Sequence, residues 1–316
     1  MRLALAIATL LLLAAACGGD RDGLTASPTA RPATPTRTRP PTPPPSPTLA
    51  PTPTPAPTID LSLSQPRQGG FLIVRLLSPP PGLQAATAFF DGAPYEMAAE
   101  GDHWYRIIGL ATGVAVGQYP VEVSSSVAAL AAGTLTVTDG GFQYESIELP
   151  PGSIGLLEDQ DAIAQERATL SQVYSGFTPA QQWSGAWIMP ALGTITNVFG
   201  LQRSINGGPY SPHTGTDIAN EKGTPVVAAA SGTVVLAQAL YLYGNVVVVD
   251  HGAGVFTSYN HLDSIAAIAG QSITIGDLVG FMGETGFVNG PHVHWEAVIG
   301  GVRTDPTLWT TAAIDP

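Results

Sequence analysis

A histidine-rich stretch close to the C-terminal end reads Gly290-Pro291-His292-Val293-His294-Trp295-Glu296. Val293 and Trp295 alternate with polar residues, which is the pattern of a half-buried strand. Because successive side chains of a strand point to opposite faces, His292 and His294 share one face, about 7 Å apart. Both can therefore serve one groove, although two histidines on a strand also occur for structural reasons alone.

Two further histidine-bearing segments lie upstream, in His213-Thr214-Gly215-Thr216-Asp217 and in Tyr259-Asn260-His261-Leu262. Gly215 favours a loop or a short extended piece, so that His213 and Asp217 can converge from one tight segment. Zinc accepts imidazole nitrogen and carboxylate oxygen, and a catalytic site keeps three protein ligands and one open position. The first segment therefore has the character of half a zinc site.

In combination these segments resemble the M23 family of zinc endopeptidases, of the LytM and lysostaphin type. The resemblance covers roughly residues 190–308 and rests on the order and spacing of several short motifs. These are His213-x-x-x-Asp217, Tyr259-x-His261-Leu262 and Gly290-Pro291-His292-x-His294, with the lesser landmarks Phe199-Gly200, Gly223-Thr224-Pro225-Val226, Asp250-His251-Gly252 and Thr285-Gly286. The family hydrolyses peptide bonds in the stems or cross-bridges of bacterial peptidoglycan, which is the activity and the partner that the resemblance implies.

The resemblance implies that His213, Asp217 and His294 bind one zinc ion per chain. Two neutral imidazoles and one carboxylate leave the ion with a net charge of about plus one, which lowers the pKa of bound water toward about 7. By the same resemblance, His261 and His292 are the catalytic histidines beside the open position. They would orient water, stabilise the oxyanion and protonate the leaving amine, with the identity of the base left open.

Three other residues near these motifs have two interpretations each, and a fourth has one. Tyr210 could donate its hydroxyl to the oxyanion or line the groove. Arg203 could bind a substrate carboxylate or brace its loop. Glu296 could support a ligand histidine or form a structural salt bridge, and His251 is expected to brace a turn.

A second function class remains open, namely a non-catalytic M23-like activator of a cell wall amidase. Such regulators typically lack one or more of the metal or catalytic residues. All five are present in this chain, which favours the enzyme.

The N-terminal region has the composition of a targeting segment followed by a tether. Residues 1–17 resemble a lipoprotein signal peptide that ends at Cys17, the only cysteine, which predicts a lipid-anchored protein outside the cytoplasmic membrane. Ala14 replaces the leucine usual in such signals, and the alternative is an ordinary signal peptide with an incidental cysteine. Residues 18–58 are predicted to be a disordered tether, since thirteen prolines occur between residues 28 and 58.

The rest of the chain is predicted to be mainly β. Residues 60–150 contain short alternating runs separated by turn residues, which predict an immunoglobulin-like β-sandwich. A connecting segment with one helix over 158–174 is expected in residues 151–185, and an antiparallel β peptidase domain in residues 186–316. Its strand candidates are 226–230, 232–240, 245–250, 255–260, 273–279 and 292–299.

Charge excludes one class of partner. Residues 60–316 contain seven basic and twenty-two acidic side chains, which gives a formal charge of −15. Such a domain lacks the basic surface that nucleic acid requires. Acidic wall polymers are disfavoured for the same reason, so a neutral peptide is the expected substrate.

Overall fold

The computed structural model of the protein describes residues 55–148 and 155–316. Cys17 and the predicted signal peptide lie outside the described residues, as does the predicted tether up to residue 54. The described part is mainly β with mostly antiparallel pairing, which confirms the predicted fold class. Within these residues no helix is long and apolar enough to span a membrane.

The first eight strands form two four-stranded antiparallel sheets that face each other. They are β1 (Thr58–Asp60), β2 (Phe71–Leu77), β3 (Thr87–Phe90), β4 (Ala93–Glu96), β5 (Ala98–Glu100), β6 (His103–Gly109), β7 (Gly117–Ser124) and β8 (Ala129–Val137). The sheet orders are β1-β2-β6-β5 and β4-β3-β7-β8. One apolar cluster, with Leu72 and Val74 from the first sheet and Val121 and Val123 from the second, fills the space between them. This is a β-sandwich, and its immunoglobulin-like strand pattern stays a prediction.

A second group of strands builds the C-terminal part. They are β9 (Tyr144–Ile147), β10 (Thr194–Asn197), β11 (Gln202–Ile205), β12 (Ser211–Pro212), β13 (Thr216–Ala219), β14 (Pro225–Val227), β15 (Gly232–Leu240), β16 (Gly244–Asp250), β17 (Val255–Ile265), β18 (Ser272–Ile273), β19 (Leu278–Met282), β20 (His292–Ile299) and β21 (Val302–Thr304). The main sheet has the order β10-β13-β20-β17-β16-β15-β18, with β14, β19 and β21 attached at its sides. A small sheet, β12-β11-β9, carries a parallel pair between β11 and β9.

The prediction of one strand over residues 273–279 is wrong, because the chain forms a turn within this range. Asp277 accepts a hydrogen bond from the N–H of Thr274 and donates its own N–H to the Thr274 carbonyl. Gly276 within this turn has a φ of +88°, which a β-branched residue would not tolerate. The apolar run is thereby divided between β18 and β19.

The predicted helix is present as α1 (Gln160–Tyr174), beginning two residues later than expected. The Asp159 carboxylate accepts the N–H of Ala162 and so caps the first turn. Leu170 and Tyr174 of α1 pack on the outer face of the main sheet. Val173 is only half-buried, and short 3₁₀ turns occur at Gly155–Leu157 and Pro306–Thr310.

The sandwich and the main sheet share a core through strand β2. Leu72 and Val74 point into the sandwich, whereas Phe71 and Ile73 point the other way and join the apolar cluster of the main sheet. The Phe71 ring stacks on Trp309 with 4.8 Å between centroids. Residues Pro53–Pro316 accordingly group as a single compact unit, and the predicted domain boundaries stay predictions.

Candidate metal centre

Three neighbouring strands of the main sheet, β13, β20 and β17, position the polar groups of the site. Asp217 on β13 and Asn260 on β17 both stand directly opposite His294 on β20. Val293 and Trp295, which alternate with the histidines of β20, are fully buried in the core on the other face. The alternation predicted for this strand is therefore what turns His292 and His294 to one side.

His213, Asp217 and His294 bring three potential metal-binding atoms together. Nε2 of His213 lies 3.1 Å from Nδ1 of His294 and 3.1 Å from Oδ1 of Asp217. Nδ1 of His294 lies 2.7 Å from the same carboxylate oxygen. These separations are slightly shorter than the roughly 3.3 Å expected between ligands on one face of a tetrahedron with bonds of about 2.0–2.1 Å. The residues present therefore fit a tetrahedral cation with one open position.

The ligand candidates are held by contacts to their outer nitrogen atoms. Nδ1 of His213 lies 3.0 Å from the Val198 carbonyl, so this nitrogen donates and Nε2 is left as the electron-pair donor. In His294 the arrangement is reversed, because Nε2 lies 3.2 Å from Oε1 of Glu296 and Nδ1 faces the centre. Such partners fix the tautomer and the ring orientation of a metal ligand.

His261 and His292 stand beside this triad. Nδ1 of His261 lies 2.9 Å from the Thr285 carbonyl and Nδ1 of His292 lies 2.8 Å from the Gly290 carbonyl. In each ring Nε2 is thus the nitrogen left free for chemistry, and the ring centroids are 5.0 Å apart. Nε2 of His292 lies 3.8 Å from Oδ1 of Asp217, which places this ring next to the ligand triad.

The backbone at His261 is strained. His261 occupies a bulge in β17, where the pairing with β16 shifts register, and its φ is +62°. A non-glycine residue in this region costs about 1–3 kcal/mol and is found mainly at functional sites. The bonds from its N–H to the Tyr243 carbonyl and from Nδ1 to the Thr285 carbonyl hold it there.

The buried charges of the site shift one another's pKa values. Burial alone would raise the pKa of Asp217, but hydrogen bonds from His213 and His294 outweigh it and hold that pKa well below its usual range. Burial alone would lower the pKa of His294, whereas its bonds to Asp217 and Glu296 raise it to about 9. Burial and the neighbouring His294 and His292 lower the pKa of His261 to about 3. A cation at the triad would displace the proton from His294, so binding should release a proton.

Glu296 supports His294 and is also paired with a cation, so that both of its expected roles occur together. It is fully buried, and its Oε1 accepts from Nε of Arg303 at 3.0 Å and from the Tyr243 hydroxyl at 3.2 Å. Arg303 and Tyr243 were not among the residues predicted from the sequence. The alternation of β20, which places Glu296 on the face of the two histidines, was the signal that a buried cation must lie nearby.

Arg203 and Tyr210 are bonded to protein groups. The Arg203 guanidinium forms an ion pair with Glu145 on β9 and donates to Oδ1 of Asn197 at 2.7 Å. Asn197 in turn donates to Oδ2 of Asp217 at 2.8 Å, so Arg203 braces the loop beside the candidate metal site. The half-exposed Tyr210 has its hydroxyl 3.2 Å from Oγ of Ser146.

His251 lies apart from the triad, in the turn where it was expected. It is fully buried, with Nδ1 2.8 Å from the Ser231 carbonyl and Nε2 2.8 Å from the Thr257 hydroxyl. These contacts satisfy both ring nitrogens in the neutral form, and burial lowers the pKa of His251 to about 4.

Comparison with known proteins agrees with this geometry. The family model for peptidase family M23 matches residues 211–306. The chain is 42% identical over 91 residues to the peptidoglycan DD-endopeptidase ShyA of Vibrio cholerae, covering 29% of this chain and 21% of that protein. It is 37% identical over 127 residues to the DD-carboxypeptidase/endopeptidase Mpg of Neisseria meningitidis, covering 40% and 29%.

The chain thus spans less than a third of the length of these two curated relatives. A solved structure, a candidate peptidase M23 from Pseudomonas aeruginosa, superposes with a TM-score of 0.60 at 26% identity and covers 78% of this chain and 96% of its own. Residues 211–306, which contain the clustered histidines, therefore form a peptidase M23 domain.

Proposed function

We propose that the chain is a zinc-dependent endopeptidase that hydrolyses peptide bonds in peptidoglycan stems or cross-bridges. The observation that carries the proposal is the convergence of His213, Asp217 and His294, whose donor atoms lie 2.7–3.1 Å apart. The M23 family match and the two relatives named as endopeptidases support the same activity.

Zinc suits this donor set because it binds imidazole nitrogen and carboxylate oxygen together. Harder cations prefer sites made of oxygen ligands alone. When bound, zinc would act as a Lewis acid toward a water molecule and the scissile carbonyl. His213 and His294 would bind it as neutral imidazoles, each held by a hydrogen bond from its outer nitrogen. Asn197, which donates to Asp217, would fix the orientation of the carboxylate.

His261 and His292 perform the proton transfers in this proposal. Each ring has Nδ1 bonded to a backbone carbonyl and Nε2 free, so Nε2 can accept the proton of the attacking water, and the imidazolium formed can then deliver that proton to the departing amine. A ring that holds this proton also presents an Nε2–H to the developing oxyanion. Neither residue is required to bind the metal, which separates their role from that of the triad.

A bond between two D-amino acids is the substrate that we propose. The names of both curated relatives state a DD-endopeptidase or a DD-carboxypeptidase/endopeptidase activity, which supports this choice. The acidic composition of the protein favours a neutral cross-linked peptide over a polyanionic wall polymer.

The test is digestion of purified peptidoglycans of several cross-link chemotypes by the chain lacking its first 58 residues. We expect one zinc ion per chain, clearing of a peptidoglycan zymogram, loss of clearing after chelation and recovery when zinc is restored. Mass spectrometry of the new amine termini should identify a D,D bond. New termini at a glycine bridge would contradict the proposed bond but would still support endopeptidase activity.

The activator hypothesis makes a different prediction for the same preparation. If the zinc-loaded protein cleaves none of the peptidoglycans but stimulates a cell wall amidase, the chain is a regulator and the enzyme proposal is wrong. The activity of the amidase alone and of this protein alone are the matched controls.

We also propose that the protein acts in the cell envelope, anchored by a lipid on Cys17. The envelope location is supported by the peptidoglycan-directed names of the relatives, and the anchor by the lipoprotein-like sequence before Cys17. Radiolabelled fatty acid should enter the wild-type protein in its host and not the Cys17→Ser variant. Equal labelling of both, or labelling of neither, would contradict the anchor.

A further inference from the structure

Helix α1 carries a carboxylate on the face where its packing calls for apolar residues. The buried positions of the helix are Ile163, Glu166, Leu170 and Tyr174, whose spacing marks one face. Glu166 is 4% exposed. Burying a carboxylate is costly unless hydrogen bonds compensate it, and an apolar residue here would continue the stripe at no such cost. The position of Glu166 therefore needs a reason other than packing.

The partners of Glu166 are two backbone groups of a single turn. Its Oε2 accepts the N–H of Leu242 at 2.8 Å and the N–H of Tyr243 at 3.2 Å. Both residues belong to the hairpin turn between β15 and β16. Hydrogen bonds to an ionised oxygen are stronger than those between neutral groups, so Glu166 fixes the conformation of this turn.

Tyr243 connects the turn to both parts of the site. Its carbonyl accepts the N–H of His261 at 2.9 Å, and its ring lies parallel to that of His261, with an interplanar angle of 8° and 6.5 Å between centroids. Its hydroxyl lies 3.2 Å from the oxygen of Glu296 that also contacts His294. A displaced turn would consequently disturb His261 directly and His294 through Glu296.

Leu242 supports His261 from the other side. The Leu242 carbonyl accepts the N–H of Phe287 at 2.8 Å, which anchors the loop that contains Thr285. The Thr285 carbonyl is the partner of Nδ1 of His261. Gly286 lies so close to the Leu242 carbonyl that a Cβ at Gly286 would come within 2.3 Å of its oxygen. The turn and this loop therefore move together.

Two kinds of contact join α1 to the turn. Leu170 and Tyr174 pack on the sheet, and the ring of Tyr243 packs against the same apolar cluster. A cavity of about 610 Å³ lies beside these residues, and its lining includes Glu166, Tyr243 and Thr214, the neighbour of His213. The two hydrogen bonds of the Glu166 carboxylate are the contacts that hold the backbone N–H groups of the turn.

We propose that Glu166 is a positioning residue for the peptidase reaction and that helix α1 is part of the catalytic unit. The inference rests on the proposed function and extends it to a segment outside residues 211–306, which match the family. Glu166 touches neither substrate nor metal. It acts on His261 by holding the backbone of Leu242 and Tyr243.

The experiment compares Glu166→Leu, Glu166→Ala and Glu166→Gln in the otherwise complete chain. Leucine continues the apolar stripe, alanine removes the carboxylate without adding volume, and glutamine keeps an acceptor oxygen at the same place. Gln165→Ala, at an exposed position of the same helix, is the matched control. Measurements are kcat and KM on cross-linked peptide, zinc affinity by chelator competition, and hydrogen exchange at the amides of Leu242 and Tyr243.

For Glu166→Leu and Glu166→Ala we expect kcat to fall by roughly tenfold to a hundredfold, with KM within about twofold of wild type. Amide exchange at Leu242 and Tyr243 should become faster in both variants. Glu166→Gln should recover most of the turnover, and Gln165→Ala should behave as wild type in every measurement. If either the leucine or the alanine variant does not fold, the remaining one and the glutamine variant still test the proposal.

Two results would overturn the inference. One is unchanged amide exchange at Leu242 and Tyr243 in folded Glu166→Leu or Glu166→Ala, and the other is faster exchange with unchanged kcat. Failure of the proposed function is distinguishable, because it would appear as a wild-type protein that cleaves no peptide. In that case amide exchange and zinc affinity alone test whether Glu166 holds the turn and supports the site.

Discussion

Two buried histidines, His251 in the turn between β16 and β17 and His294 on β20, differ in their partners and in their pKa values. His251 contacts a carbonyl and a hydroxyl, and burial lowers its pKa to about 4. His294 is equally enclosed, yet its pKa is raised to about 9 because its hydrogen bonds to Asp217 and Glu296 outweigh the effect of burial. Burial therefore does not decide what a histidine does. The carboxylates around it do, and they mark the position where a cation can replace a proton.

The largest expected effect follows from removing the histidine that lies between carboxylates. His294→Ala should lose zinc and peptidase activity together, because one of three ligands disappears, and the loss should exceed the roughly hundredfold typical of outer partners. Metal content and turnover are measured on the same preparation. His251→Gln is the comparison variant and should keep its zinc. Stoichiometric, tightly held zinc in His294→Ala would show that this residue is not a ligand.

A smaller loss is expected for a histidine at the site that does not bind the metal. His261→Ala should keep most of its zinc and lose about 10²–10⁴-fold in kcat, the range for removal of a general acid or base. Metal content by elemental analysis and kcat on soluble cross-linked peptide check both parts. The assignment of roles would be wrong if this variant lost zinc as completely as His294→Ala.

The contrast between the two histidines was partly predictable from sequence. The order of the motifs identified His213, Asp217, His261, His292 and His294, and the structure brings all five together. The alternation of β20 predicted which residues share a face, since a period of two is a local property. The landmark Asp250-His251-Gly252 likewise predicted that His251 braces a turn.

The groups that hold the site could not be predicted in the same way. Glu166 and Tyr243 are separated by 77 residues, and their contact depends on how α1 packs on the sheet. The parallel pairing of β9 with β11, which brings Glu145 to Arg203, also joins segments far apart in sequence. Local patterns report the period of an element and its ends, whereas these contacts arise from tertiary packing.

The pH dependence of folding stability should show that His251 is buried in its neutral form. An unfolded histidine has a pKa of 6.5, and burial lowers the folded value to about 4, so in this interval the unfolded state binds more protons. Stability contributed by neutral His251 is thus present above pH 6.5 and falls by about 3 kcal/mol as the pH drops to about 4. Urea unfolding across this range should show a shallower decline in His251→Gln, which keeps a donor and an acceptor but does not titrate. Parallel curves for the two proteins would contradict this account.

The smallest effect is expected from removing one of the two charges that distinguish His294. In Glu296→Gln an acceptor oxygen can still face Nε2 of His294, but the negative charge that favours a bound cation is lost. Zinc affinity should fall by roughly tenfold to a hundredfold, the range for the outer partners of metal ligands. Arg303, which donates to Oε1 of Glu296, also loses its counter-charge, so part of the effect should appear as lower stability.

Chelator competition separates the two contributions, because it is measured below the unfolding temperature of the folded variant. Glu122→Gln, an exposed acid of strand β7, removes the same formal charge far from the histidines in sequence and should leave zinc affinity unchanged. Equal zinc affinities of the Glu296→Gln and Glu122→Gln variants would mean that the charge of Glu296 does not contribute to zinc binding. The different pKa values of His251 and His294 would then have to follow from Asp217 alone.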